Sequence, residues 1–177
     1  MIKKPLRDVC CVEGEIACLS CEIIEDETAV TWYKDNVEII PSTDIILKMQ
    51  GKIHELSIPR TEMKDGGRYS IKVKQSTSEA KLTVKAVITK HLENVTCIED
   101  QSLSLVCELA EKDISVTWLK DEKVIEASKN IVLEIHNNAH ILKFKKLSKN
   151  DGGKYALIAR GKKTEAVVLV KGLFFYI

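Results

Sequence analysis

The chain has 177 residues and a net charge of +1, with 27 basic and 26 acidic side chains. This balance argues against a nucleic-acid-binding protein, which would carry a basic excess, and an aromatic content of 5% offers few rings for stacking on bases. No run of 18 apolar residues is present to span a membrane, and no apolar segment follows residues 1–5 as a signal peptide would require.

An internal repeat fills the chain. The phrase KDGGRYSI at residues 64–71 returns as NDGGKYAL at residues 150–157, a shift of 86 residues. The same shift superimposes Cys21 on Cys107 and Trp32 on Trp118, without a gap from residue 2 to residue 171. A fixed period indicates repeated domains. We therefore predict one domain at residues 1–85, a second at 86–171, and a tail at 172–177 that begins a following repeat or is a remnant of the expressed segment.

Short segments of alternating apolar residues follow one another along the first copy, separated by turn residues such as Asp35 and Gly66. The second copy repeats the pattern. About seven or eight strands in each copy, each burying one face, predict an all-β, two-sheet sandwich. The residues predicted to face the first core are Ala17, Leu19, Cys21, Ile23, Val30, Trp32, Leu56, Ile58, Tyr69, Ile71, Val73, Ala80, Leu82 and Val84.

A spaced set of residues in each copy resembles the immunoglobulin fold. The first copy has Cys21, Trp32 and Asp65-x-Gly67-x-Tyr69, and the second has the same residue types 86 positions later. The segment between Trp32 and Tyr69 leaves no room for the two extra strands of a variable-type domain, so the resemblance is to the intermediate set (I-set). It implies two tandem immunoglobulin-like β-sandwiches, with the tryptophan packed on the cysteine and the tyrosine hydroxyl bonded to the backbone.

The cysteines indicate a reducing compartment. Secreted members of this family carry a second cysteine two residues after the tyrosine, where this chain has Ile71 and Leu157. We expect no inter-sheet disulfide, and most simply a cytosolic protein. Cys18-x-x-Cys21 has the spacing of a metal site, but strand alternation sends the two side chains to opposite faces. The cysteines are therefore predicted to be structural thiols, inward at positions 11, 21, 97 and 107 and outward at 10 and 18.

The remaining signals do not assemble a catalytic site. Asn94-Val95-Thr96 is a glycosylation sequon, for which glycosylation is not expected, and the acidic residues 25–27 are expected to form a solvated loop rather than a calcium site. His54 and His140 match across the copies without a nucleophile partner. We therefore predict a protein that is not an enzyme, with no catalytic, cofactor-binding or metal-ligating residue and no cofactor.

Tandem, disulfide-free I-set domains with almost no linker at residues 85–86 resemble the titin-like giant muscle proteins. Phrases at matching positions in both copies carry this resemblance: Leu-x-x-Val-x-Cys-x-Glu, Val-Thr-Trp-x-Lys-Asp and Asp-Gly-Gly-x-Tyr. It implies a cytoplasmic module of the sarcomere or myofibril that contributes elasticity and scaffolding. The implied partners are neighbouring immunoglobulin repeats and other sarcomeric or cytoskeletal proteins, with neither nucleic acid nor membrane. A docking pair of the obscurin-like kind and a cell-adhesion ectodomain remain alternatives.

The same resemblance locates a mechanical element in each copy. We expect the first strand, residues 9–13 or 95–99, to pair with the last strand, residues 78–85 or 164–171. Such a pair, pulled from its ends, loads its hydrogen bonds in shear, so that they must fail together. Proline at Val9 or Val95 is expected to lower the unfolding force more than proline in an exposed loop.

Overall fold

The computed structural model describes residues 1–25 and 29–172. The chain divides into two units, Met1–Ala86 and Val87–Ile177, each built from two sheets of short strands. The expected all-β sandwiches are confirmed in both units.

The first unit contains nine strands within the described residues, and these form two sheets. A four-stranded sheet has the order β1-β3-β7-β6, and a five-stranded sheet has the order β2-β9-β8-β4-β5. Neighbouring strands are antiparallel except β2 and β9, which are parallel. The strands are β1 (Ile2–Lys4), β2 (Val9–Val12), β3 (Ala17–Ile23), β4 (Val30–Lys34), β5 (Val37–Glu38), β6 (Ile46–Gln50), β7 (Ile53–Ile58), β8 (Gly67–Val73) and β9 (Ser76–Lys85).

The second unit repeats this topology, with sheet orders β10-β12-β16-β15 and β11-β18-β17-β13-β14. Each unit also has one 3-10 turn, at Met63–Asp65 and Lys149–Asp151. The strands are β10 (Ile88–Lys90), β11 (Val95–Ile98), β12 (Leu103–Leu109), β13 (Val116–Lys120), β14 (Lys123–Val124), β15 (Ile131–His136), β16 (Ala139–Phe144), β17 (Gly153–Ala159) and β18 (Lys162–Lys171).

The core of each unit lies between its two sheets, where alternate residues of every long strand point inward. All the residues predicted to face the first core are buried except Val30, which packs against the core while half-buried. In the second unit Phe144 and Tyr155 meet edge to face, with ring centroids 5.6 Å apart. Alternation alone therefore predicts which side chains hold the sheets together.

The strand count exceeds the expected seven or eight for two reasons. The first strand of each unit is split, so that β1 joins one sheet and β2 the other, and the buried Leu6 lies at the crossover. In addition, Asp35 and Asn36 take positive φ angles of 49° and 69° and turn β4 into the two-residue strand β5. The sequence predicted no room between Trp32 and Tyr69 for the two extra strands of a variable-type domain. Among the described residues, this segment contains one short additional edge strand, β5.

Candidate load-bearing edges

The predicted pairing of the first and last strands is confirmed in the first unit. β2 runs parallel to β9, with Val9 opposite Leu82 and Val12 opposite Lys85. A further bond closes each end of this ladder. The Lys81 amide donates to Asp8 Oδ1 over 2.7 Å at one end, and the Glu13 amide donates to the Lys85 carbonyl over 2.8 Å at the other.

The second unit has the same ladder. β11 runs parallel to β18, from Val95 opposite Val168 to Ile98 opposite Lys171. The Val167 amide donates to Asn94 Oδ1 over 2.7 Å, and the Glu99 amide donates to the Lys171 carbonyl over 2.8 Å. Asn94, singled out in the sequence as part of a sequon, thus has the structural role that Asp8 has in the first unit.

A side-chain hydroxyl fixes each crossover between the sheets. The Leu6 amide donates to Ser78 Oγ over 2.9 Å, and the Leu92 amide donates to Thr164 Oγ1 over 3.0 Å, both in buried surroundings. Sequence reasoning missed these hydroxyls, together with the acceptors at positions 8 and 94. The sequence signal that could have found them is the recurrence after 86 residues of a hydroxyl, at 78 and 164, and of a side-chain oxygen acceptor, at 8 and 94.

The repeated Asp-Gly-Gly-x-Tyr phrase builds one tight corner. In the first unit, Asp65 Oδ2 accepts the Glu62 amide at 2.7 Å, and the Tyr69 hydroxyl donates to the Asp65 carbonyl over 2.8 Å. At Gly67, a β-carbon would lie 2.7 Å from Asp35 Oδ2. Burial, followed by the charges of Asp65 and Asp35, raises the pKa of the Tyr69 phenol well above its usual value. The tyrosine corner implied by the resemblance is therefore present.

The second unit reproduces this corner. Asp151 Oδ2 accepts the Ser148 amide at 2.7 Å, and the Tyr155 hydroxyl donates to the Asp151 carbonyl over 2.6 Å. Asp121 Oδ1 accepts the amide of Lys154 at 2.9 Å, next to Gly153. The phrase therefore encodes the turn that leads into β8 and β17 and orients each of these strands beside the last strand of its unit.

The six cysteines are all free thiols. Cys18 is exposed and Cys21 is buried, so the predicted opposite orientation is confirmed. Cys97, predicted to face inward, is only half-buried on the edge strand β11, where its Sγ donates to the Leu169 carbonyl over 3.6 Å. Burial and the charge of Glu108 raise the pKa of Cys107 to about 11. In the part of the chain that the structure describes, no cluster of three or more His, Cys, Asp or Glu residues is placed to hold a metal.

The two matched histidines lie in the cores of their units. His54 is 3% exposed and His140 is 2% exposed, and neither Nε2 atom has a hydrogen-bond partner among the described residues. Burial lowers the pKa of both imidazoles. Cys21 lies opposite His54 and Cys107 lies opposite His140 on the neighbouring strands, and both histidines act as core side chains.

Two features of the sequence lie partly outside the described residues. Glu25 forms an ion pair with Lys74, whereas the other two residues of the acidic run, 26 and 27, are not described. The tail beyond Gly172 is likewise outside the described range. No described helix has the length and apolar character needed to cross a membrane.

Comparison with known proteins gives a consistent match across the chain. The model of the immunoglobulin I-set domain matches residues 1–88 and again residues 86–170. Drosophila melanogaster titin is 28% identical over 97% of this chain, which corresponds to 1% of that protein. Human slow-type myosin-binding protein C is 29% identical over 84% of this chain and 14% of its own length.

A solved structure gives the same result. The crystal structure of the I9-I11 tandem from titin superimposes with a TM-score of 0.79 at 27% identity, covering 97% of this chain and 66% of that one. The chain thus spans a small fraction of the two full-length muscle proteins that it resembles in sequence.

Proposed function

The chain belongs to the immunoglobulin I-set domain family, and we propose that its two domains form a load-bearing structural module of a sarcomeric filament in the cytoplasm. Similarity to titin and to myosin-binding protein C supports a structural module of this kind. Elasticity and scaffolding of muscle assembly are the specific roles that we propose for it.

The observation that carries the proposal is the parallel ladder between the first and last strands of each unit. Because β2 and β9 run in the same direction, the N-terminal end of β2 and the C-terminal end of β9 lie at opposite ends of the pair. Tension applied there slides one strand along the other and loads the whole ladder together. The same argument applies to β11 and β18.

At each end of the ladder one further hydrogen bond, here called a clamp, strengthens this geometry: a side-chain oxygen accepts it at one end and a backbone amide donates it at the other. Asp8 and Asn94 each bond the backbone of the last strand just before the ladder begins, and Glu13 and Glu99 continue it past the final strand pair. Each clamp places one more hydrogen bond, worth roughly 0.5–1.5 kcal/mol, in parallel with the ladder. Resistance to sliding therefore exceeds that of the four paired residues alone.

Core packing supports a role in a reducing compartment. Ile71 and Leu157 are fully buried where secreted relatives have their second cysteine. A disulfide there would contribute about 2–4 kcal/mol, and burial of a branched aliphatic side chain restores about 1.5–3 kcal/mol of it. The domains can thus hold their sheets together without oxidation. Neighbouring repeats and other sarcomeric proteins are the partners that we propose.

Single-molecule pulling tests the mechanical role, and the duplication supplies an internal reference. Val9→Pro is expected to lower the unfolding force of the first unit while the second keeps its own, because proline removes a donor from β2 and cannot continue the ladder. Val95→Pro should do the reverse. Thr43→Pro, in an exposed bend of the first unit, is the control.

Equal unfolding forces for Val9→Pro, Thr43→Pro and the unaltered chain would overturn the proposal. A smaller loss of force for Asp8→Ala, with no more than about 1.5 kcal/mol lost in equilibrium stability, would support the clamp specifically. Both measurements use the whole two-domain chain between identical handles.

A further inference from the structure

Two strands leave the edges of their sheets open. β6 ends the four-stranded sheet of the first unit, and β15 ends that of the second. Edge strands present backbone N–H and C=O groups that a further strand can pair with. Within the described residues, no second strand lies against the outer side of either one.

The inward faces of both edges are apolar and incompletely covered. In β15, Leu133 lies opposite buried Leu142 and Ile135 opposite buried His140, yet these two side chains are 38% and 63% exposed. Together with Val124 they line an open cavity of about 570 Å³. The edge of the second unit therefore keeps apolar surface that a neighbouring strand would cover.

β6 has the same inward pattern. Leu47 lies opposite buried Leu56, and Met49 lies opposite buried His54 while remaining 57% exposed. Apolar residues at every second position on both edges match the pleat of a β-strand rather than the period of a helix. The occupant that fits either edge is therefore an extended strand with alternating apolar residues.

The outward faces of the two edges carry opposite charges. Lys48 stands at the middle of β6 and is exposed. Glu134 occupies the corresponding position of β15, with the exposed His136 at 3.2 Å. Pairing β6 with a second β6, or β15 with a second β15, is unfavourable where it places like charges opposite each other. Pairing β6 with β15 instead brings a lysine opposite a glutamate.

We propose that β6 of one copy of this chain pairs antiparallel with β15 of a second copy, in the register that places Lys48 opposite Glu134. The same register places Met49 opposite Leu133 and Leu47 opposite Ile135, so that charged pairs meet on the outward face and apolar pairs on the inward face. This lateral association goes beyond the proposed load-bearing role, which requires no second chain.

The area available makes this a weak association. β6 has five residues and β15 has six, which is below the size of a stable protein interface. We expect reversible self-association in the micromolar range or weaker, increased at low ionic strength because Lys48 is exposed and Glu134 only half-buried.

Sedimentation velocity of the whole chain between about 5 and about 500 µM tests the association. The average mass is expected to rise with concentration. Lys48→Glu or Glu134→Lys should weaken association roughly tenfold, and the double variant should restore it, because like charges across a strand pair are unfavourable and opposite charges favourable. An equimolar mixture of the two single variants should also associate.

The matched control is Lys72→Glu, which changes the net charge by the same amount as Lys48→Glu but lies on β8, in the interior of its sheet. Three results would each overturn the proposal. They are an average mass that does not depend on concentration, an equal loss of association with Lys72→Glu, and a double variant that does not regain association. Thermal melts check that the variants fold. If a charge reversal impairs folding, Lys48→Gln and Glu134→Gln should each weaken association about threefold instead.

Discussion

The hydroxyl of Tyr69 bonds the backbone carbonyl of Asp65, four residues earlier, across 2.8 Å. Tyr69→Phe removes this donor and leaves a partly buried carbonyl without it, so we expect a loss of about 1–2 kcal/mol in unfolding free energy. Tyr155→Phe should lose a similar amount in the second unit. Urea unfolding measures both, with Tyr33→Phe, on the outward face of β4, as the control. An equal loss for Tyr33→Phe would argue against the corner.

Two adjacent glycines should respond differently to the same substitution. Gly153 has a φ of 151°, and a β-carbon there would lie 2.8 Å from Asp121 Oδ2. Gly152 has a φ of −62°, and the nearest atom to its β-carbon would be at 3.4 Å. We expect Gly153→Ala to cost about 2 kcal/mol and Gly152→Ala to stay within about 0.5 kcal/mol, measured by thermal unfolding. The opposite order would contradict this account of the repeated phrase.

The buried histidines predict a loss of stability at mildly acidic pH. His54 lies between Cys21 and Met49 on the neighbouring strands, and its burial lowers its pKa. The unfolded chain therefore binds a proton at a higher pH than the folded chain does. The stabilisation that depends on the neutral histidines should be fully present above about pH 6.5. Below that pH the unfolding free energy should fall until the folded pKa is reached, by at most about 1.4 kcal/mol per pH unit for each histidine.

Replacing both His54 and His140 by phenylalanine should flatten this dependence between about pH 6.5 and 5. His91→Gln, at an exposed position, serves as the control. Denaturant unfolding at a series of pH values provides the measurement. An unaltered slope in the double variant would show that other groups cause the acid sensitivity.

Thiol labelling of the native chain should separate the cysteines by position. Cys10 and Cys18 should react first, and Cys107 only after unfolding, since it is buried and its pKa is raised to about 11. Desolvation, followed by the hydrogen bond to Glu55 and the charge of its carboxylate, raises the pKa of Cys18 although the residue is exposed. Glu55→Gln in a Cys10→Ser background should therefore speed labelling of Cys18 near pH 8. No change in rate would mean that Glu55 does not limit its reactivity.

Much of the fold could be predicted from the sequence because alternation and the 86-residue period act over many positions. Residues such as Leu19, Ile71 and Leu157 are buried as predicted because one face of each strand must leave water. The period also indicates two equivalent domains. The tyrosine corner was implied by resemblance to a family, since spacing alone does not show where a hydroxyl points.

The crossover and the side-chain clamps could not be predicted in the same way. The bonds to Ser78 and Asp8 join residues more than 70 positions apart, and local patterning contains no information about such pairs. The half-buried position of Cys97 likewise depends on what covers an edge strand, which alternation does not specify. Both gaps concern long-range geometry, whereas the sequence pattern reports local orientation.

The ladder between β2 and β9 also keeps most of the chain of its unit from extending under tension. It holds residues 9 and 85 at the two ends of one short paired edge, so the chain between them adds little more than the length of that ladder to the end-to-end distance while the ladder is closed. Once it opens, that segment can extend to about 260 Å at roughly 3.4 Å per residue. A series of such units under rising tension would therefore lengthen in discrete steps. Each unfolding step lowers the tension on the units that remain folded.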